Sequence, residues 1–270
     1  MSNTKIIILD FDGTLGDTAS VIVQTTQATI KELGLPARTD EQCAAMIGLR
    51  LVEIPPVLFP ECEVDGDLYA ETYRRLFKVF NTEGAVTLYP NVMETLLELH
   101  RRGMILTIAS SRSRSSLADY IENLGLSQII TYFLGAADVT EGKPAPEAVN
   151  KTLEHYGLKP EDAIVVGDTV FDIHMGKNAG TRSCGVTYGN GSRESLADAT
   201  WLIDDFGQLL DLVQVLLRPY EAVVDGLTSI DYYALAGTEP VFYSEEVSPV
   251  CNLLRSRPTF QRGLLHDFSP

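Results

Sequence analysis

Apolar positions along the chain fall into two textures. Short apolar-rich runs recur at Ile6–Leu9, Met104–Ala109, Ala163–Val166, Ser183–Val186 and Trp201–Ile203. Runs of this length with little polar interruption predict strands buried on both faces, as in a parallel sheet. Between them, helical patterns cover Val92–Arg102, Ser113–Leu124, Glu147–His155, Val170–Ala179 and Phe206–Leu217. Gly103, Gly125, Gly157 and Gly180 stand where four of these helices should stop. Strand–helix alternation of this kind predicts an α/β fold, a doubly wound parallel sheet.

The alternation breaks between residues 17 and 87. Thr18–Leu33, Asp40–Gly48, Leu51–Leu58 and Asp67–Glu83 all read as helical, with no strand-like run among them. This predicts an all-α domain of residues 17–87 inserted after the first strand. The α/β core then comes in two pieces, 1–16 and 88–217. From Arg218 the texture changes again, with Pro219, Pro240, Pro249, Pro258 and Pro270 and no clean period. Seven aromatic residues make this C-terminal extension (218–270) rich for a flexible tail. Draping over the core, docking on a partner and disorder all stay open for it.

Composition narrows the function classes. The 270 residues are 45% hydrophobic and 21% charged, so the chain can bury a sizeable core. There are 37 acidic and 21 basic residues, a formal charge of −16 and a pI near 4.6. So negative a body repels phosphate backbones and anionic lipid, which argues against nucleic-acid and membrane-surface partners. An anionic ligand would need a local reversal of that field. Cys43, Cys62, Cys184 and Cys251 lie far apart, as expected of reduced thiols. Four histidines make a zinc site a poor expectation. No secretory leader and no 18-residue apolar run is visible, so a soluble, cytoplasmic protein is expected.

The candidate chemistry lies just beyond the predicted strands. Asp10-Phe-Asp12-Gly-Thr14 follows the first. Ligands of open α/β sheets bind outside the carboxyl ends of the strands. Two carboxylates this close repel each other unless a cation or proton intervenes, and oxygen-only donors favour Mg²⁺. The alternative is a turn with a capping Asp and a surface Asp. Gly167-Asp168-Thr-Val-Phe-Asp172 places two more carboxylates one helical turn apart. Helix capping would also account for them, less well for Asp168. Ser110 and Ser111 end another strand before a helix start, where hydroxyls and free N–H groups cradle anions or simply cap. Lys143, between Gly142 and Pro144, has a constrained backbone that can aim its ammonium.

In this order, the strings DFDGT (Asp10–Thr14), the strand ending at Ser110, GKPAPE (Gly142–Glu147) and GDTVFD (Gly167–Asp172) resemble the haloacid dehalogenase superfamily of phosphohydrolases. The resemblance spans about residues 1–215 and is greatest to the phosphoglycolate phosphatase group, which carries a helical cap after the first motif. It implies an Mg²⁺-dependent phosphatase acting on a small-molecule phosphate ester through an aspartyl-phosphate. Asp10 would be the nucleophile and Asp12 the general acid and base. Lys143 and Ser110 would hold phosphoryl oxygens, with Thr14 and Ser111 beside them. Asp10, Asp12 (through its carbonyl), Asp168 and Asp172 would serve the metal. Arg50, in Met46-Ile-Gly48-Leu-Arg50, matches the substrate-facing cap loop; an exposed helix arginine is the plainer alternative. A monomer or homodimer is expected. Rival readings are a β-phosphoglucomutase-type phosphotransferase, a pyrophosphatase and a catalytically silent binding module. Gly167 disfavours the mutase, which typically has an acidic residue there.

Overall fold

Six parallel strands form one sheet in a computed structural model that describes residues 4–213. The C-terminal extension at 218–270 lies outside the described residues. In chain order the elements are β1 (Ile6–Leu9), β2 (Gly16–Asp17), α1 (Ala19–Glu32), α2 (Asp40–Ala44), α3 (Ile54–Leu58), α4 (Gly66–Phe80), β3 (Thr87–Leu88), α5 (Val92–Arg101), β4 (Ile105–Ala109), α6 (Arg114–Asn123), β5 (Tyr132–Leu134), α7 (Glu147–Tyr156), β6 (Ala163–Gly167), α8 (Val170–Asn178), β7 (Arg182–Val186), β8 (Trp201–Ile203) and α9 (Leu209–Leu212). The sheet order is β5-β4-β1-β6-β7-β8. Chain progression runs outward from β1 on one side, then restarts at β6 on the other.

The first strand is buried on both faces, as its unbroken apolar run requires. Ile7 and Leu9 pack with Leu96 and Leu99 of α5 and Leu117 and Ile121 of α6. Ile6 and Ile8 pack on the opposite face with Val149 and Leu153 of α7 and Met175 of α8. Period-two side-chain alternation divides one strand between two cores in this way. The four glycines expected to stop helices all take positive φ, between 62° and 79°.

The inserted segment is helical and carries its own apolar cluster of Ile30, Cys43, Ile54, Leu58, Phe59 and Tyr69. It leaves the sheet through β2 and returns through β3, which pair antiparallel. That two-stranded ribbon is too short to show as an apolar pattern, and neither is β5, a three-residue edge strand. Three expected boundaries differ. The helix expected over Asp40–Gly48 ends at Ala44, because Met46–Gly48 turns away to run against the core, with Gly48 at φ 103°. The helix expected over Leu51–Leu58 opens with a 3-10 turn, Leu51–Glu53. The one expected over Phe206–Leu217 is a 3-10 turn, Phe206–Gln208, followed by α9, its remainder lying outside the described residues. Among the described residues no helix is long and apolar enough to cross a membrane.

Candidate active site

Asp10 follows the last residue of β1, and its backbone N–H donates to the Val166 carbonyl at 2.9 Å, extending the sheet one step. The chain then reverses at Gly13, φ 84°. A Cβ there would lie 2.1 Å from an Asp168 oxygen, so glycine alone fits. Asp168 lies just past the end of β6, next to β1 in the sheet, and parallel pairing brings the two tips together.

Asp10, Asp168 and Asp172 are all buried, and each offers an oxygen within 4.8 Å of the others. One ammonium answers them. Lys143 donates to Asp10, and to Asp172 Oδ1 at 2.6 Å. The second Asp172 oxygen accepts from the Thr169 N–H at 3.1 Å and hydroxyl at 2.7 Å. Asp168 Oδ2 accepts from Asn190 twice, at 2.7 and 2.8 Å, and Oδ1 from the Thr14 hydroxyl at 3.2 Å. Burial, and then Asp172, push Asp168 up to about 7. Burial also raises Asp10 well above the usual carboxylate range, though Lys143 pulls against it. Burial disfavours the charged ammonium, but Asp10 and Asp172 outweigh that and raise Lys143. Three carboxylates against one ammonium leave an excess of negative charge in a dry place. A hard divalent cation on all-oxygen donors fits that imbalance.

The loop carrying Lys143 is pinned from α7. Glu147 accepts the backbone N–H groups of Thr140 and Glu141 at 2.9 and 2.8 Å. Ser110 is buried at the end of β4, and its hydroxyl accepts from the Arg112 N–H at 3.2 Å. Ser111 instead joins the insert to the core, donating to the Gly48 carbonyl at 2.6 Å. Arg50 does the same, donating to the Val139 and Thr140 carbonyls at 2.8 and 2.9 Å. A cavity of about 680 Å³ lies between the insert and the strand ends, and Asp10, Asp12, Arg50, Ser110, Ser111 and Arg112 all line it. Replacing Arg50 with Ala loosens this staple. KM should therefore rise for every ester, a featureless aryl phosphate included. A rise confined to one natural ester would assign Arg50 to direct substrate contact instead.

Two residues at the site stood out by no pattern in the sequence. Asn190 fixes Asp168 from the loop after β7, where its position between Gly189 and Gly191 at a strand's carboxyl end was a usable signal. Arg112 pairs with Asp12, and a lone loop arginine carries no such signal.

Residues 7–186 match the family model of haloacid dehalogenase-like hydrolases. A phosphoglycolate phosphatase of Vibrio cholerae is 32% identical over 231 residues, covering 80% of this chain and 99% of the relative. A pyrophosphatase of Anoxybacillus flavithermus is 31% identical over 218 residues, covering 80% of this chain and 100% of the relative. Among solved structures, a predicted phosphoglycolate phosphatase from Haemophilus somnus matches with a TM-score of 0.68 at 26% identity, covering 79% of this chain and 100% of that one.

Proposed function

Since this chain belongs to the haloacid dehalogenase-like hydrolase family, we propose that it hydrolyses a small phosphate monoester of the phosphoglycolate kind through an aspartyl-phosphate on Asp10. The chain is a phosphatase. The observation that carries the finer reading is the buried Asp10–Lys143–Asp172 arrangement with Asp168 beside it.

An Asp10 oxygen attacks phosphorus, and the bond from phosphorus to the ester oxygen breaks. Asp12 gives a proton to the departing oxygen, then takes one from the water that cleaves the acyl phosphate. Lys143 and the Ser110 hydroxyl sit where phosphoryl oxygens gather charge. Thr14 and Asn190 hold Asp168 in place, and Thr169 holds Asp172. Asp10 and Asp168, with Asp172 behind them, would hold a divalent cation, for which we propose Mg²⁺; when bound it supplies positive charge to the phosphoryl oxygens.

Gly167 supports hydrolysis over the mutase reaction. A Cβ on it would fall 2.2 Å from Asp172 Cβ, so this arrangement leaves no room for an acidic side chain. The test is a panel of phosphate esters plus pyrophosphate with Mg²⁺, comparing kcat/KM by phosphate release. Phosphoglycolate should lead. Pyrophosphate in the lead would move the reading to the second relative's activity, and a rearranged ester without free phosphate would overturn hydrolysis.

Metal and pH should act together on stability. An unfolded aspartate ionises near 3.9, whereas folded Asp168 does so only near 7. Between those values the folded state holds the extra proton. In metal-free protein, Asp168's contribution to stability is full below about 4 and is lost as pH rises through about 7. Mg²⁺ should raise Tm most at the upper end of that window. Equal Tm against pH with and without the ion would remove it from this cluster.

A further inference from the structure

Arg112 is buried, with 8% of its side chain exposed. Its Nη2 donates to Asp12 Oδ1 at 2.5 Å and its Nε to Oδ2 at 3.1 Å. Its remaining nitrogen, Nη1, donates to the Ser116 hydroxyl at 3.1 Å. The guanidinium also lies over Tyr120 of α6 at 4.9 Å and Phe77 of α4 at 5.0 Å. A residue that protonates a leaving oxygen must turn an oxygen of its own toward it. Here both oxygens of Asp12 are turned to Arg112. The pair must open before Asp12 can act as the general acid.

The same cavity shows what could open it. Arg74 and Lys78 stand one turn apart on α4, exposed, lining the cavity, and have no carboxylate partner among the described residues. In a chain with 37 acidic and 21 basic residues, this wall is locally positive. A carboxylate or phosphate matches the fork of a guanidinium as well as Asp12 does.

We propose that Arg112 is a positioning residue that holds Asp12 aside until a second anionic group on the substrate takes over its guanidinium. Asp12 then turns to the leaving oxygen. The inference rests on the reading of Asp12 as general acid, and it names the substrate class as phosphate monoesters bearing a second anion. Binding energy from the remote group goes into kcat rather than KM, because it is used to assemble the reacting arrangement.

The test compares 2-phosphoglycolate with its neutral isostere 2-hydroxyethyl phosphate, both at saturation, with the full chain and Mg²⁺. A positioned general acid is worth about 10²–10⁴ in rate, so wild-type kcat should favour the anionic ester by at least about tenfold. Arg112→Met should bring the two kcat values to within about threefold, by slowing the anionic ester and speeding the neutral one. Arg112→Lys, which keeps charge without the fork, should fall between. A faster neutral ester is a gain that general loosening of the fold does not produce. Equal proportional losses on both esters would overturn the inference, as would a wild-type kcat indifferent to the second charge. Asp12→Asn separates the layers: undiminished rates there overturn the general-acid reading beneath the inference. Loss there, together with equal losses in Arg112→Met, overturns only the inference. Wild-type protein that turns over neither ester overturns the substrate reading along with it.

Discussion

Replacing Asp10 with Asn should cost on the order of 10⁴-fold or more in kcat and leave the fold intact. Removing a nucleophile that forms a covalent intermediate has effects of that size, because the groups around it act only through it. Asparagine has the same shape and still offers a carbonyl oxygen to Lys143, so packing at the end of β1 is kept. It also removes one of three buried like charges. Tm should therefore hold or rise while phosphate release disappears. The two readouts, thermal denaturation and phosphate release, separate a lost nucleophile from a lost fold. Hydrolysis near the wild-type rate would take the nucleophile's role away from Asp10.

Lys143→Met should damage stability and activity together. Methionine fills much of the same volume but leaves Asp10, Asp168 and Asp172 with no cation in a buried cluster. Removing one partner of a buried ion pair typically costs about 3–5 kcal/mol. In metal-free protein the loss should be greatest near neutral pH and should shrink as acid protonates the carboxyls. Turnover should fall even with Mg²⁺ present, because the phosphoryl oxygens lose a fixed positive neighbour. A Tm at pH 7.5 equal to wild type would mean that the ammonium does not neutralise this cluster.

Much of the core was legible because buried parallel strands write themselves as short apolar runs. Ile6–Leu9 needed no alternation, since both its faces are covered. The convergence of Asp10, Ser110 and Asp168 follows from the same fact, as parallel strands end on one edge. What stayed hidden depends on contacts remote in sequence. Arg112 reads as a solvated loop residue until Phe77 and Tyr120 are seen stacked on it and Asp12 beneath it. Thr14 reads as a phosphate contact, yet its hydroxyl donates to Asp168. Arg50 and Ser111 read as ligand contacts, and both are spent on backbone carbonyls that tie the insert down. Sequence spacing shows which chemistry a segment carries; only packing shows which neighbour consumes it.

The pairing of β2 with β3 carries one more consequence. Because the two ends of the insert are hydrogen-bonded neighbours, the segment between them can grow, shrink or be exchanged without prising the sheet apart. Loop-closure cost changes only slowly with length. Reaction chemistry and substrate choice are thus inherited on different stretches of the chain, and a new preference can be grafted at residues 18–86 while the acidic strand tips stay as they are.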